Sequence, residues 1–82
     1  MTIELMDKKG KRRDRLIIMT EIIGIAKKGS SKTHIMFKAN LSFSQLNLYL
    51  SLLLHSGLLV KLTKAGRQTY TATSKGIEFM EK

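Results

Sequence analysis

The chain has 82 residues with no cysteine and no proline, and 15 Lys and Arg against 6 Asp and Glu give a formal net charge of +9. That length holds one small domain rather than a two-lobed enclosure around a substrate, and the missing cysteines remove disulfide scaffolds, zinc ribbons and thiol catalysis. The charge calls for a polyanionic partner, while 43% hydrophobic against 26% charged residues is too apolar for a disordered basic tail.

Residues 1–11 form a basic N-terminal segment whose Ile3, Leu5 and Met6 fit either an edge strand or a frayed end. The densest charge runs from Lys8 to Arg15 around the helix-breaking Gly10, with Lys9, Lys11, Arg12 and Arg13 between. From about Lys11 to Lys28, the residues Leu16, Ile18, Met19, Ile22, Ile23, Ile25 and Ala26 fall on about half of a helical wheel, which predicts a first helix. Thr20, Glu21, Gly24 and Lys27 lie opposite, and Gly29 with Ser30 ends the helix. Its apolar arc is wider than one packing face needs, so this helix is either central or shared with a partner.

Ser30 or Ser31 caps a short second helix, Lys32 to Lys38, anchored by Ile35 and Met36, and Asn40 suits the left-handed turn after it. Ser42 followed by Gln45 forms a capping-box pattern for a third helix from Phe43 to Ser56, with Gly57 as its C-terminal glycine. The wheel puts Phe43, Leu46, Tyr49, Leu50, Leu53 and Leu54 on the core side. Residues 39–60 carry no formal charge, but Asn40, Gln45, Asn47 and several serines make a membrane span costly. The N-terminus lacks the layout of a signal peptide. After Gly57 the period becomes two: Leu58, Val60 and Leu62 alternate with Leu59 and Lys61, then Tyr70 and Ala72 with Thr69, Thr71 and Thr73. Two strands are expected, joined across Thr63 to Arg67 by a turn that uses Gly66. Thr73 or Ser74 caps a last helix, Lys75 to Lys82, bearing Ile77, Phe79 and Met80.

This order predicts an α+β, mainly α, single domain over residues 1–82. A three-helix core, a two-stranded β-hairpin wing and a short C-terminal helix make a winged helix-turn-helix. The isoleucine-rich first helix, the stretch KTHIMFKANLS (residues 32–42), the run from Leu52 to Leu58 and the Thr73-Ser74-Lys75-Gly76 opening of the last helix resemble the small archaeal winged-helix DNA-binding proteins. The similarity covers about Arg12 to Lys82. It implies a DNA-binding protein, chromatin-associated or regulatory, that dimerises, often through an extended C-terminal helix. Where that family places basic residues on the recognition helix this chain has Ser44, Asn47 and Leu48, so the electrostatic grip of that helix is weak. With the sequence ending at Lys82, a homodimer is expected to use Ile18, Ile22, Ile25, Phe79 and Met80 instead.

The candidate base-reading residues lie on the third helix: Gln45 and Asn47 can pair with adenine, Ser42 and Ser44 can reach a base or phosphate, and Leu48 can meet a thymine methyl. Each is otherwise an ordinary solvated helix position. The candidate phosphate contacts are Lys61, Lys64 and Arg67 around the wing, Lys32 and Lys38 on the second helix, and Arg12 and Arg13 in the basic run. His34 and His55 have no ligand-type residues at metal spacing, and no serine stands with a histidine and an acid. The expectation is therefore a nonenzymatic, cofactor-free, metal-free regulator that binds double-stranded DNA in the cytoplasmic nucleoid, with no membrane and no small-molecule ligand. Its rivals are a protein-interaction module on the uncharged face of the third helix, a nonspecific chromatin-type binder and an RNA binder.

Overall fold

The computed structural model describes residues 14–81, so the basic run with Arg12 and Arg13 lies outside the described residues. The elements are α1 Arg15–Ile25, α2 Lys32–Ala39, α3 Phe43–His55, β1 Leu59–Lys64, β2 Arg67–Ala72 and α4 Ser74–Met80. This is the three-helix core, hairpin and short last helix predicted from the element order. Among the described residues no helix is long and apolar enough to cross a membrane.

Local chemistry explains where the helices start and stop. Asp14 caps α1 by accepting the Ile17 N–H at 3.0 Å, and Ser31 caps α2 by accepting the His34 N–H at 3.2 Å. The first helix ends at Ile25, earlier than Lys28, because the chain turns there to meet the sheet. Ser30 exchanges both backbone hydrogen bonds with Tyr70, at 2.9 and 2.8 Å, and the Ala72 N–H donates to the Ala26 carbonyl at 2.9 Å. Ser30 is thus a one-residue third strand rather than a cap. Asn40 takes the left-handed conformation, φ 56°, and after α3 Gly57 does the same at φ 77°. At both ends the next residue bonds back into the helix, Leu41 N–H to the Met36 carbonyl and Leu58 N–H to the Leu53 carbonyl. These are Schellman stops, and they set the angles at which α3 and β1 leave their helices.

The core forms where α1 meets α2, β2 and α4. Its largest fully buried side chains are Ile22, Ile23, Ile35, Leu46 and Leu53, each contributing about 1.5–3 kcal/mol through burial. The wide apolar arc of α1 is accounted for by this central position. Ile18 and Ile22 are 7% and 0% exposed, so the expectation that they join a second copy is corrected: they are consumed by the chain's own core. The apolar residues that α1 leaves exposed are Leu16 and Ile17, and Leu16 lines a groove with Thr20, Phe79 and Met80.

A second correction concerns the hairpin. Leu59 pairs with Ala72, Lys61 with Tyr70 and Lys64 with Arg67, and opposed residues share a face. The buried face is therefore Leu59, Tyr70 and Ala72, while Val60 and Leu62 stand exposed on the other side with Thr71 and Thr69. Alternation within β1 pointed to Leu58, Val60 and Leu62 as one apolar set, but Leu58 is buried as the residue after the Schellman glycine, not as a strand position. The connection is two residues, Ala65 and Gly66, with φ of 51° and 79°, the positive pair of a type I′ turn.

The last helix is fastened to the end of α3. Thr73 accepts the Gly76 N–H at 3.0 Å and donates its hydroxyl to the Gly57 carbonyl at 2.7 Å, while Lys75 Nζ donates to the Ser56 carbonyl at 3.1 Å. Gly76 is buried against the Leu58 carbonyl oxygen, which a Cβ at that position would overlap.

Candidate nucleic-acid interface

The helix α3 carries no Lys, Arg, Asp or Glu. Leu46, Tyr49, Leu50 and Leu53 bury its inner side, and Ser44, Leu48, Ser51 and His55 form an exposed row along the opposite side at helical spacing. Leu48 is 53% exposed at the middle of that row, and Leu52 lies at its margin. Asn47 is half-buried, at the edge of the exposed surface rather than its crest.

The first turn of α3 is built as the Ser42–Gln45 spacing predicts. Ser42 and Gln45 form a reciprocal capping box: the Ser42 hydroxyl accepts the Gln45 N–H and the Gln45 side-chain oxygen accepts the Ser42 N–H. Both side chains are exposed, yet both already have a structural bond. Phe43, expected in the core, is 62% exposed, because it stands one turn ahead of Leu46, the first buried residue of the helix. The Lys32 ammonium sits over its ring, 4.9 Å from the centroid. This contact brings the start of α2 and the start of α3 together and holds a cation beside the exposed row.

The other candidate cations are divided. Lys61, Lys64 and Arg67 are exposed on the hairpin, but register puts Lys61 on the margin of the buried face and Lys64 with Arg67 on the opposite one. Lys64 lines a shallow groove with Lys28, Gly29, Leu62, Thr69 and Thr71. Lys28 was hidden from sequence reasoning because the first helix was carried through it; the Lys27-Lys28 pair just before Gly29 was the available signal. Lys38 is placed over α1, beside Glu21, Gly24 and Ile25, and is not brought to α3. Phe37, at 83% exposure on α2, was also missed; its position out of phase with Ile35 was the only trace in the sequence.

Among the described residues no His, Cys, Asp or Glu group could hold a metal ion, and no polar or charged side chain is buried. The arrangement is suited to contact with a large surface: a neutral, capped helix exposes one row, a cation from α2 is held near its start, and further cations stand exposed on the hairpin.

Residues 12–82 match a family described as winged helix-turn-helix. Among solved structures, Sso10a-2, a DNA-binding protein from Sulfolobus solfataricus, is similar with a TM-score of 0.78 and 25% identity, over 84% of this chain and 73% of that one. The PcaV transcriptional regulator from Streptomyces coelicolor is similar with a TM-score of 0.68 and 20% identity, over 77% of this chain and 48% of that one. A multiple antibiotic-resistance repressor from Listeria monocytogenes follows with a TM-score of 0.69 and 21% identity, over 79% of this chain and 46% of that one. The chain therefore spans about half the length of the two regulators. A comparison with curated protein sequences returned no match.

Proposed function

The chain belongs to the winged helix-turn-helix family, and from that membership we propose that it binds double-stranded DNA as a transcriptional regulator, with α3 in the major groove and the hairpin on the phosphate backbone. The observation that carries this reading is the exposed row of α3, which follows the Ser42–Gln45 cap and has the Lys32 ammonium held near its start, while Lys61, Lys64 and Arg67 stand exposed on the hairpin. The structural neighbours point the same way: Sso10a-2 is a DNA-binding protein and PcaV a transcriptional regulator. The net charge of +9, to which Arg12 and Arg13 contribute, supplies the phosphate attraction, while the uncharged α3 favours a sequence preference over indiscriminate packaging. Two copies join through Leu16, Ile17, Phe79 and Met80, the apolar surface that α1 and α4 leave uncovered or half-covered, and the protein works at the nucleoid.

Selection from a random duplex pool, sequenced after binding at about 50 and 200 mM salt, tests this reading. Enrichment of a defined motif, with retention falling steeply between the two salt concentrations, is expected. Retention without a motif identifies a nonspecific chromatin-type binder, and no retention at the lower salt refutes DNA binding. One observation favours a second reading: Leu48 and Leu52 are exposed on an uncharged helix, as a protein-interaction module would have them. A protein contact of that kind would tolerate salt.

A further inference from the structure

We infer that Leu48 makes this helix a reader of thymine, through apolar contact with the C5-methyl group that thymine carries into the major groove. The inference rests on the DNA-binding reading above and deepens it. Guanine is read chiefly by Arg or Lys, and α3 has neither. Adenine is read by the paired donor and acceptor of an Asn or Gln amide. The Gln45 oxygen is bound to the Ser42 N–H at 3.0 Å, and Asn47 is half-buried. What the helix offers outward along its row is the hydroxyls of Ser44 and Ser51, which suit either a donor or an acceptor, the His55 ring at its far end, and the methyl groups of Leu48 between the two serines. The only apolar group on the major-groove edge of a base pair is the thymine methyl. Leu48 at the middle of the row, between Ser44 and Ser51 and with Leu52 only at the margin, makes a small apolar spot within a polar strip, and with Lys32 held near the start of the helix it is matched to that groove and its phosphates rather than to a broad hydrophobic partner.

The test uses the full chain and two random-sequence duplex pools built only from A·T pairs, one containing thymine and the other uracil, which differs by the missing methyl alone. The wild type is expected to bind the uracil pool about four-fold more weakly for each methyl contacted. Leu48→Ala, at a position exposed enough to leave the core intact, is expected to bind both pools equally. Equal binding by the wild type overturns the inference and returns Leu48 to a protein contact. A thymine preference that survives in Leu48→Ala also overturns it, because the methyl would then act through duplex shape or another residue. Failure to bind either pool at low salt is a distinct result: it removes the DNA-binding reading itself.

Discussion

The side-chain oxygen of Gln45 accepts the backbone N–H of Ser42 at 3.0 Å, and the Ser42 hydroxyl accepts the Gln45 N–H at 3.2 Å. The two polar side chains at the start of α3 are thus engaged first in satisfying its unpaired donors. Ser42→Ala is expected to lower stability by about 1 kcal/mol, a fall in Tm of about 4–8 °C for a domain of this size. Ser42→Asp keeps the cap and the Tm, but it places a negative charge where phosphate is expected and weakens duplex binding. Thermal unfolding and fluorescence anisotropy on both variants separate the two effects.

Gly76 faces the Leu58 carbonyl with no room for a side chain. Gly76→Ala must push α4 off the start of the hairpin, and a loss of about 2 kcal/mol or more is expected from urea unfolding. Gly57 is a milder case: nothing lies near its absent Cβ, so Gly57→Ala costs only the left-handed conformation, about 1 kcal/mol.

Ala65 occupies the first central position of the type I′ turn with φ 51°. Asparagine adopts that conformation more readily, and Ala65→Asn is expected to raise stability by about 0.5–1 kcal/mol. A lower midpoint in a denaturant titration would show that the turn is of another kind.

The hairpin cations and Lys38 should part company in a salt titration. Removing the charges of Lys64 and Arg67 together is expected to reduce the slope of log affinity against log salt by about 0.9 for each phosphate that the variant no longer neutralises. Lys38→Gln, beside Glu21 on the α1 side, is expected to leave the slope unchanged.

Leu16 is 59% exposed and borders the groove formed with Phe79 and Met80. Leu16→Asp is expected to leave the Tm of the isolated fold nearly unchanged and to convert a dimer into a monomer in sedimentation equilibrium. A wild type that sediments as a monomer at every concentration refutes the proposed self-association.

The signals legible in the sequence were the local ones. Ser42 with Gln45, Asn40 and Gly57 each announce a helix boundary through a bond that spans only a few residues, and each sits where it was expected. What escaped depends on distant partners. The buried face of the hairpin is set by the register of Leu59 with Ala72 and Lys61 with Tyr70, which alternation along one strand does not contain. Ser30 looks like a cap until Tyr70 pairs with it. Ile18 and Ile22 look available to a partner until α1 is known to be central, and Phe43 looks like core until the packed layer is seen to begin at Leu46. At the candidate interface the residue types and the capping role of Gln45 were legible, but not that Lys38 is turned away or that Lys32 covers Phe43.

Which surface meets DNA is decided most directly by following the backbone amide signals of the labelled protein in a nitrogen-proton correlation spectrum as duplex DNA is added. Perturbations concentrated on α3 around Ser44, Leu48, Ser51 and His55, and on the hairpin around Lys61, Lys64 and Arg67, are the expected result. Perturbations confined to α1 and α4 around Leu16, Thr20 and Met80, or none at all, would contradict a recognition role for α3.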